Sequence, residues 1–244
     1  RFDKRDAGRS SHLTSAPAPD LPAAMQGDLT SVSYTLSDMA ADAVGLLDAL
    51  GIDAAHFVCA SLGGAIAQTA AIEHPARVRS LTTLMSTTGD PTVGQVHPAT
   101  AAAMFGRPLG RTREEFIANA LHRYEVVASP AYPTDPAIVA EIAGRAYDRD
   151  HDEVAIARQA VASVASGDRT EKLRKLNVPT LVVHGLADTL CDPSGGRATA
   201  AAIPGAELVL IEGTGHNLPP GLWERLADLI AGNVRKAEAR QQRS

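Results

Sequence analysis

Three residues have the types and positions that nucleophilic acyl transfer needs: Ser61, Asp188 and His216. Ser61 stands in Val58-Cys59-Ala60-Ser61-Leu62-Gly63-Gly64-Ala65, where a short apolar run meets a small-residue stretch. A serine at a strand-to-helix junction, with glycine two residues later, is the nucleophile-elbow arrangement. A sharp turn there would stand the hydroxyl clear of a sheet, and small residues at i−2 and i+2 would let the two backbones approach. The Leu62 N–H, at the helix N-terminus, would face a developing oxyanion. Cys59 takes the place of the first glycine of G-x-S-x-G, so this segment alone fits a serine helix cap equally well.

Two later segments decide between those readings. Leu181-Val182-Val183-His184-Gly185-Leu186-Ala187-Asp188 puts a carboxylate just beyond an apolar strand. Gly213-Thr214-Gly215-His216-Asn217-Leu218-Pro219 puts a histidine just beyond another. Loops after the strands of a parallel sheet share one edge, where Ser61, Asp188 and His216 can converge. The chain order Ser, Asp, His is one of three known for this chemistry. His216 would accept the Ser61 proton, since a serine hydroxyl does not ionise alone near neutrality. Asp188 would fix the imidazole tautomer and stabilise the imidazolium.

Asp192 is a rival acid, but Asp192-Pro193 reads as the cap and first position of the next helix. His184 reads as a packed strand histidine, Cys59 and Cys191 as buried thiols near the site, and Met85 and Trp223 as packing. His97, His122 and His151 lack metal-ligand spacing, and Gly195-Gly196 lacks a phosphate-binding frame. No metal or cofactor is expected.

The elements that must position these residues alternate. Residues 4–33, rich in Ser, Ala, Pro and Gly, read as a long loop. Thr35 or Ser37 caps a helix to about Leu50, and Gly51 ends it. Strands are expected at 56–60, 78–85, 180–184 and 207–211, the first a run suited to burial on both faces. Helices are expected at 61–74, 193–203 and 220–236, with a fraying tail from Lys236. Between Thr87 and Ser166 only helical patterns occur, notably at 112–128 and 135–165. The expected fold class is α/β, a mostly parallel sheet flanked by helices, with residues 1–86 and 167–244 as its core and 87–166 as a helical cap.

Composition sets the outer bounds. The chain has 244 residues, 45% hydrophobic and 21% charged, with net charge −5. That balance offers no footprint for nucleic acid or an anionic membrane, and no apolar run reaches membrane-spanning length. Two cysteines make no disulfide framework and fit a reducing, cytoplasmic setting.

Arg1-Phe2-Asp3-Lys4-Arg5-Asp6-Ala7-Gly8-Arg9-Ser10 resembles the F-D-x-R-x-x-G-x-S segment after the fourth strand of α/β-hydrolases. With the stretches around Ser61, Asp188 and His216, the resemblance covers the chain outside 90–165. It is nearest to bacterial esterase-like members, of the aclacinomycin methylesterase and 3-oxoadipate enol-lactonase type. It implies a cofactor-free serine hydrolase of small-molecule esters or lactones, with a catalytic triad of Ser61, Asp188 and His216. It also implies three strands and an oxyanion loop upstream of residue 1, so that 56–60 would form a raw sheet edge here. A C–C hydrolase or cofactor-free perhydrolase would use the same triad. An inactive relative and a strand-swapped homo-oligomer are readings from other classes.

Overall fold

The computed structural model describes residues 1–243. Its sheet has four parallel strands, β1 (Ala55–Ala60), β2 (Val78–Leu84), β3 (Thr180–Gly185) and β4 (Glu207–Ile211), side by side in chain order. All four expected strands and their parallel sense are present. β3 is buried along its whole length, which its Leu-Val-Val run anticipates. β1 is not buried on both faces as expected. Among the described residues only β2 pairs with it, which is the raw edge that the resemblance implies, and Val58 is 42% exposed.

The helices cover both faces of this sheet. α2 (Leu36–Ala49) starts at a capping box in which the Asp38 carboxylate accepts the Thr35 N–H at 2.8 Å. It packs on α3 (Leu62–Glu73), which lies against β1 and β2 and ends before Pro75. α8 (Thr170–Leu173) and α9 (Ser194–Ala202) complete that side, around Met39, Ala67, Leu81, Leu173 and Ile203. α10 (Trp223–Gln241) packs on β2 and β3 over a second core of Leu84, Leu181, Val183, Ile211 and Leu226.

A fraying tail is expected over 236–244, but the helix does not stop at Lys236, and Ser244 lies outside the described residues. Ala237 is buried, Glu238 accepts from His56 Nε2 at 2.9 Å, and Arg240 donates to Asn177 at 2.6 Å, so α10 runs on to Gln241. The segment 4–33 is also less plain than a loop. It carries α1 (Leu21–Met25), and the buried Asp6 carboxylate there accepts from both Arg158 Nε and the Tyr34 hydroxyl, at 2.8 and 2.9 Å.

Between β2 and β3 the chain is helical, as α4 (Pro98–Phe105), α5 (Arg113–Val127), α6 (Pro136–Arg149) and α7 (Glu153–Ser166). The single helical pattern at 135–165 is two helices. Asp150 is extended, at φ −177° and ψ 143°, and Asp152 caps α7 by accepting the amides of Val154 and Ala155. α5 and α6 pack on each other, whereas α7 packs on α1 and α2.

Candidate active site

The site lies at the carboxyl ends of β1, β3 and β4, the edge where loops of a parallel sheet converge. Ser61 follows β1 directly and has φ 53° and ψ −124°. A non-glycine residue in this region stores on the order of 1–3 kcal/mol of strain and persists only when its surroundings over-determine it. They do so here. The Ser61 N–H extends the β1–β2 ladder to Leu84 O at 2.9 Å, and its carbonyl accepts from Gly64 N at 2.8 Å in the first turn of α3.

The close approach that allows the turn depends on Gly64 more than on Gly63. A Cβ on Gly63 would meet Cys59 Cβ at an ordinary 3.6 Å, while one on Gly64 would meet Ser86 Cβ at 2.7 Å. Cys59 in place of glycine is therefore accommodated without a clash.

The three residues singled out in the sequence meet in one line. His216 Nε2 lies 2.9 Å from Ser61 Oγ, and His216 Nδ1 lies 2.7 Å from Asp188 Oδ2. The Asp188 side chain is fully buried and that of His216 is 9% exposed. The other oxygen, Asp188 Oδ1, accepts the amides of Leu190 and Cys191, both at 2.9 Å. Burial pushes the Asp188 carboxyl up, but hydrogen bonding from His184 and His216, the His216 charge and the Cys191 amide outweigh it and hold the group at about 2. A permanent carboxylate facing Nδ1 fixes the proton there and leaves Nε2 free to accept the Ser61 proton.

The acid and base loops are tied together, as Ala187 N donates to Thr214 O at 2.9 Å. Leu62 is the first residue of α3, where the helix leaves its N–H without an intrahelical acceptor. Asp192 points elsewhere, accepting the Ser194 N–H at 2.9 Å, and α9 begins at Ser194, one residue later than its Asp-Pro pair predicts. Burial pushes the thiols of Cys59 and Cys191 up to about 11 and about 12. Trp223 is not packing as expected. It is 60% exposed and holds Leu218 O through its indole N–H at 2.9 Å.

Sequence reasoning missed a clamp between the helical segment and the base loop. Asn217 Nδ2 donates to the Tyr124 hydroxyl of α5 at 2.9 Å, and the Ser129 hydroxyl donates to Asn217 Oδ1 while accepting Gly215 N at 2.9 Å. On the acid loop, Thr189 Oγ1 donates to Val126 O at 3.1 Å. Nothing local marks Tyr124 or Ser129. Met85, at φ 46° after β2, is likewise unmarked, because methionine has no preference for that region.

A strained serine after a parallel strand, with a histidine and a carboxylate from later strand ends, defines the class as an α/β fold of the nucleophile-elbow kind. Residues 1–220 match the family described as alpha/beta hydrolase fold, and the chain belongs to that family. The rhodomycin D methylesterase DauP of Streptomyces sp. (strain C5) is 27% identical, across 97% of this chain and 81% of that protein. The 2-hydroxy-6-oxononadienedioate/2-hydroxy-6-oxononatrienedioate hydrolase 1 of Dechloromonas aromatica (strain RCB) is 28% identical, across 81% and 68%. A thermophilic esterase from Thermogutta terrifontis superposes with a TM-score of 0.67 at 23% identity, covering 96% of this chain and 78% of that one, a likeness of fold.

Proposed function

We propose that this hydrolase cleaves carboxylic esters through an acyl-enzyme on Ser61. The observation that carries the reading is Ser61, held at φ 53° with Oγ 2.9 Å from an imidazole whose far nitrogen faces a buried carboxylate. Ser61 Oγ attacks the ester carbonyl carbon as its proton passes to His216 Nε2. The oxyanion of the tetrahedral intermediate faces the Leu62 N–H. Its collapse breaks the carbon–oxygen bond, and the His216 proton leaves with the alcohol. Water, deprotonated by His216, then attacks the acyl-enzyme, and Ser61 departs with the proton returned.

The methylesterase relative matches nearly the whole chain and supports a methyl ester as substrate. The alanine-rich helices of 87–166, read as a cap, support a mostly apolar acyl group of polyketide size. The reaction needs no cofactor, and the unpaired Cys59 and Cys191 favour a reducing, cytoplasmic setting. Among the described residues, no helix is long and apolar enough to cross a membrane. The Dechloromonas relative supports a second reading, hydrolysis of a carbon–carbon bond by the same three residues.

Labelling with a fluorophosphonate probe, beside a screen of short-chain aryl esters, tests the proposal. A single adduct on Ser61, with ester turnover abolished in S61A, is expected. No adduct and no turnover would overturn the reading, and turnover of a vinylogous diketone alone would favour the second.

A further inference from the structure

His184 is the fifth residue of β3, pairs with Leu210 across the β3–β4 ladder, and has a fully buried side chain. An imidazole so buried is costly unless its polar atoms are used. One of them is used twice. His184 Nε2 lies 2.8 Å from Cys191 O and 3.3 Å from Asp188 Oδ2. The other, Nδ1, has no hydrogen-bond partner among the described residues and faces Gly196 of α9, where even a Cβ would come within 2.5 Å of it.

These contacts fix the tautomer. A carbonyl oxygen only accepts, so Nε2 carries the proton. A second proton on Nδ1 would be a buried donor with no acceptor, which low-dielectric surroundings penalise. The charged groups that interact with the ring are the Asp188 and Asp192 carboxylates, with His216 beyond Asp188. The helix behind the ring brings Gly196 against Nδ1.

Cys191 closes the arrangement into a ring of contacts. Its N–H donates to Asp188 Oδ1 while its carbonyl accepts from His184. A shift of the Cys191 backbone would thus loosen one of the two amide contacts to Asp188 Oδ1 and the contact to His184 Nε2 together. We propose that His184 is a positioning residue for the acid, a neutral Nε2–H imidazole that fixes the 188–191 turn and shares Asp188 Oδ2 with His216. The proposal rests on the reading of Asp188 and His216 as the acid and base of the site. It gives the histidine four residues before Asp188 a task beyond packing.

The test compares His184→Phe and His184→Gln in the 244-residue chain. The first keeps the ring's bulk without a donor, and the second keeps a donor near the Nε2 position. For H184F, kcat is expected to fall about 10- to 100-fold with KM unchanged, the scale of a small misplacement of a catalytic group. The acid limb of the kcat/KM profile should move to higher pH, because a carboxylate with one donor fewer holds the imidazolium more strongly. H184Q should restore both. An effect confined to KM, or an unmoved acid limb, would overturn the proposal.

Imidazole ¹⁵N spectra of the wild-type chain provide a readout that needs neither activity nor a folded variant. His184 should show Nε2 protonated and Nδ1 bare. A proton found on Nδ1 instead would overturn the proposal. If the wild type hydrolyses no ester, the esterase reading falls, and the spectra alone decide the role of His184.

Discussion

Gly215 sits so close to Ala128 that a Cβ on the glycine would overlap the carbonyl oxygens of both Val127 and Ala128. The loop that carries His216 is therefore moulded on the turn that ends α5, and Ala131 N donates to Gly213 O at 3.0 Å beside it. His216 is thus held in place by the turn that ends a helix of the 87–166 segment.

Gly215→Ala should accordingly damage catalysis more than folding. Displacing the base by about 1 Å costs on the order of 10² in rate, so kcat/KM should fall by about that factor while the far-ultraviolet spectrum stays native. Gly232 of α10 is the control. A Cβ there meets nothing within 4 Å, and G232A should be neutral or stabilising by about 0.5–1 kcal/mol. Equal kcat/KM in the wild type and G215A would show that the 126–132 turn yields.

The buried pair Asp6–Arg158 predicts a loss of stability. Arg158 Nε and Nη2 donate to Asp6 at 2.8 and 3.0 Å, and Leu13 N and the Tyr34 hydroxyl complete its shell. Burial pushes the Asp6 carboxyl up, but these bonds outweigh it and leave it below the ordinary value. Arg158→Ala leaves a buried carboxylate unpaired and should cost about 3–5 kcal/mol in denaturant unfolding. Because the folded group is depressed, its contribution is whole above the unfolded value near about 4 and is lost as pH falls through the folded one. Asp6→Asn should flatten that acid dependence, and an unchanged slope would contradict the shift.

What was legible in the sequence, and what was not, divides along contact range. Ser61, Asp188 and His216 were legible because each follows an apolar strand within a few residues, and the parallel sheet then supplies their convergence. The break at 150–152 was legible in principle, since Asp150 and Asp152 are turn and cap residues. Val58 was legible only through the resemblance, which places 56–60 on a raw edge, because burial of a strand depends on its lateral neighbours, and those are not written in the strand itself. Tyr124, Ser129 and Asn217 were invisible for a similar reason. Their bonds join positions about ninety residues apart, and no periodicity records them. His184 was visible but read as packing, since only the carbonyl of Cys191 and the second oxygen of Asp188 give it a task.

The exposed flank of β1 predicts self-association. Strand edges with unpaired N–H and C=O groups template pairing with other chains, and Val58 lies on such an edge with 42% of its surface exposed. Val58→Lys should lower the weight-average mass seen in sedimentation at high concentration. An exposed change of this kind should leave stability within about 0.5 kcal/mol. A wild type that stays monomeric throughout would show that this edge does not pair.

Asp188→Asn separates the acid's two tasks, orientation and charge. The amide can keep a contact with His216 Nδ1, but as a donor it favours the tautomer with the proton on Nε2, the nitrogen that must accept from Ser61. A loss of about 10⁴ in kcat is expected, with KM little changed. The acid side of the stability profile should change as well. Asp188 is held at about 2 in the folded chain, below its unfolded value near about 4. The stability it contributes is therefore fully present above about pH 4 and is lost as pH falls through about 2. Thermal melts of the wild type should drop across that window, and those of D188N should drop less. A D188N variant with the wild-type acid profile would place the carboxylate's charge outside the fold's stability altogether.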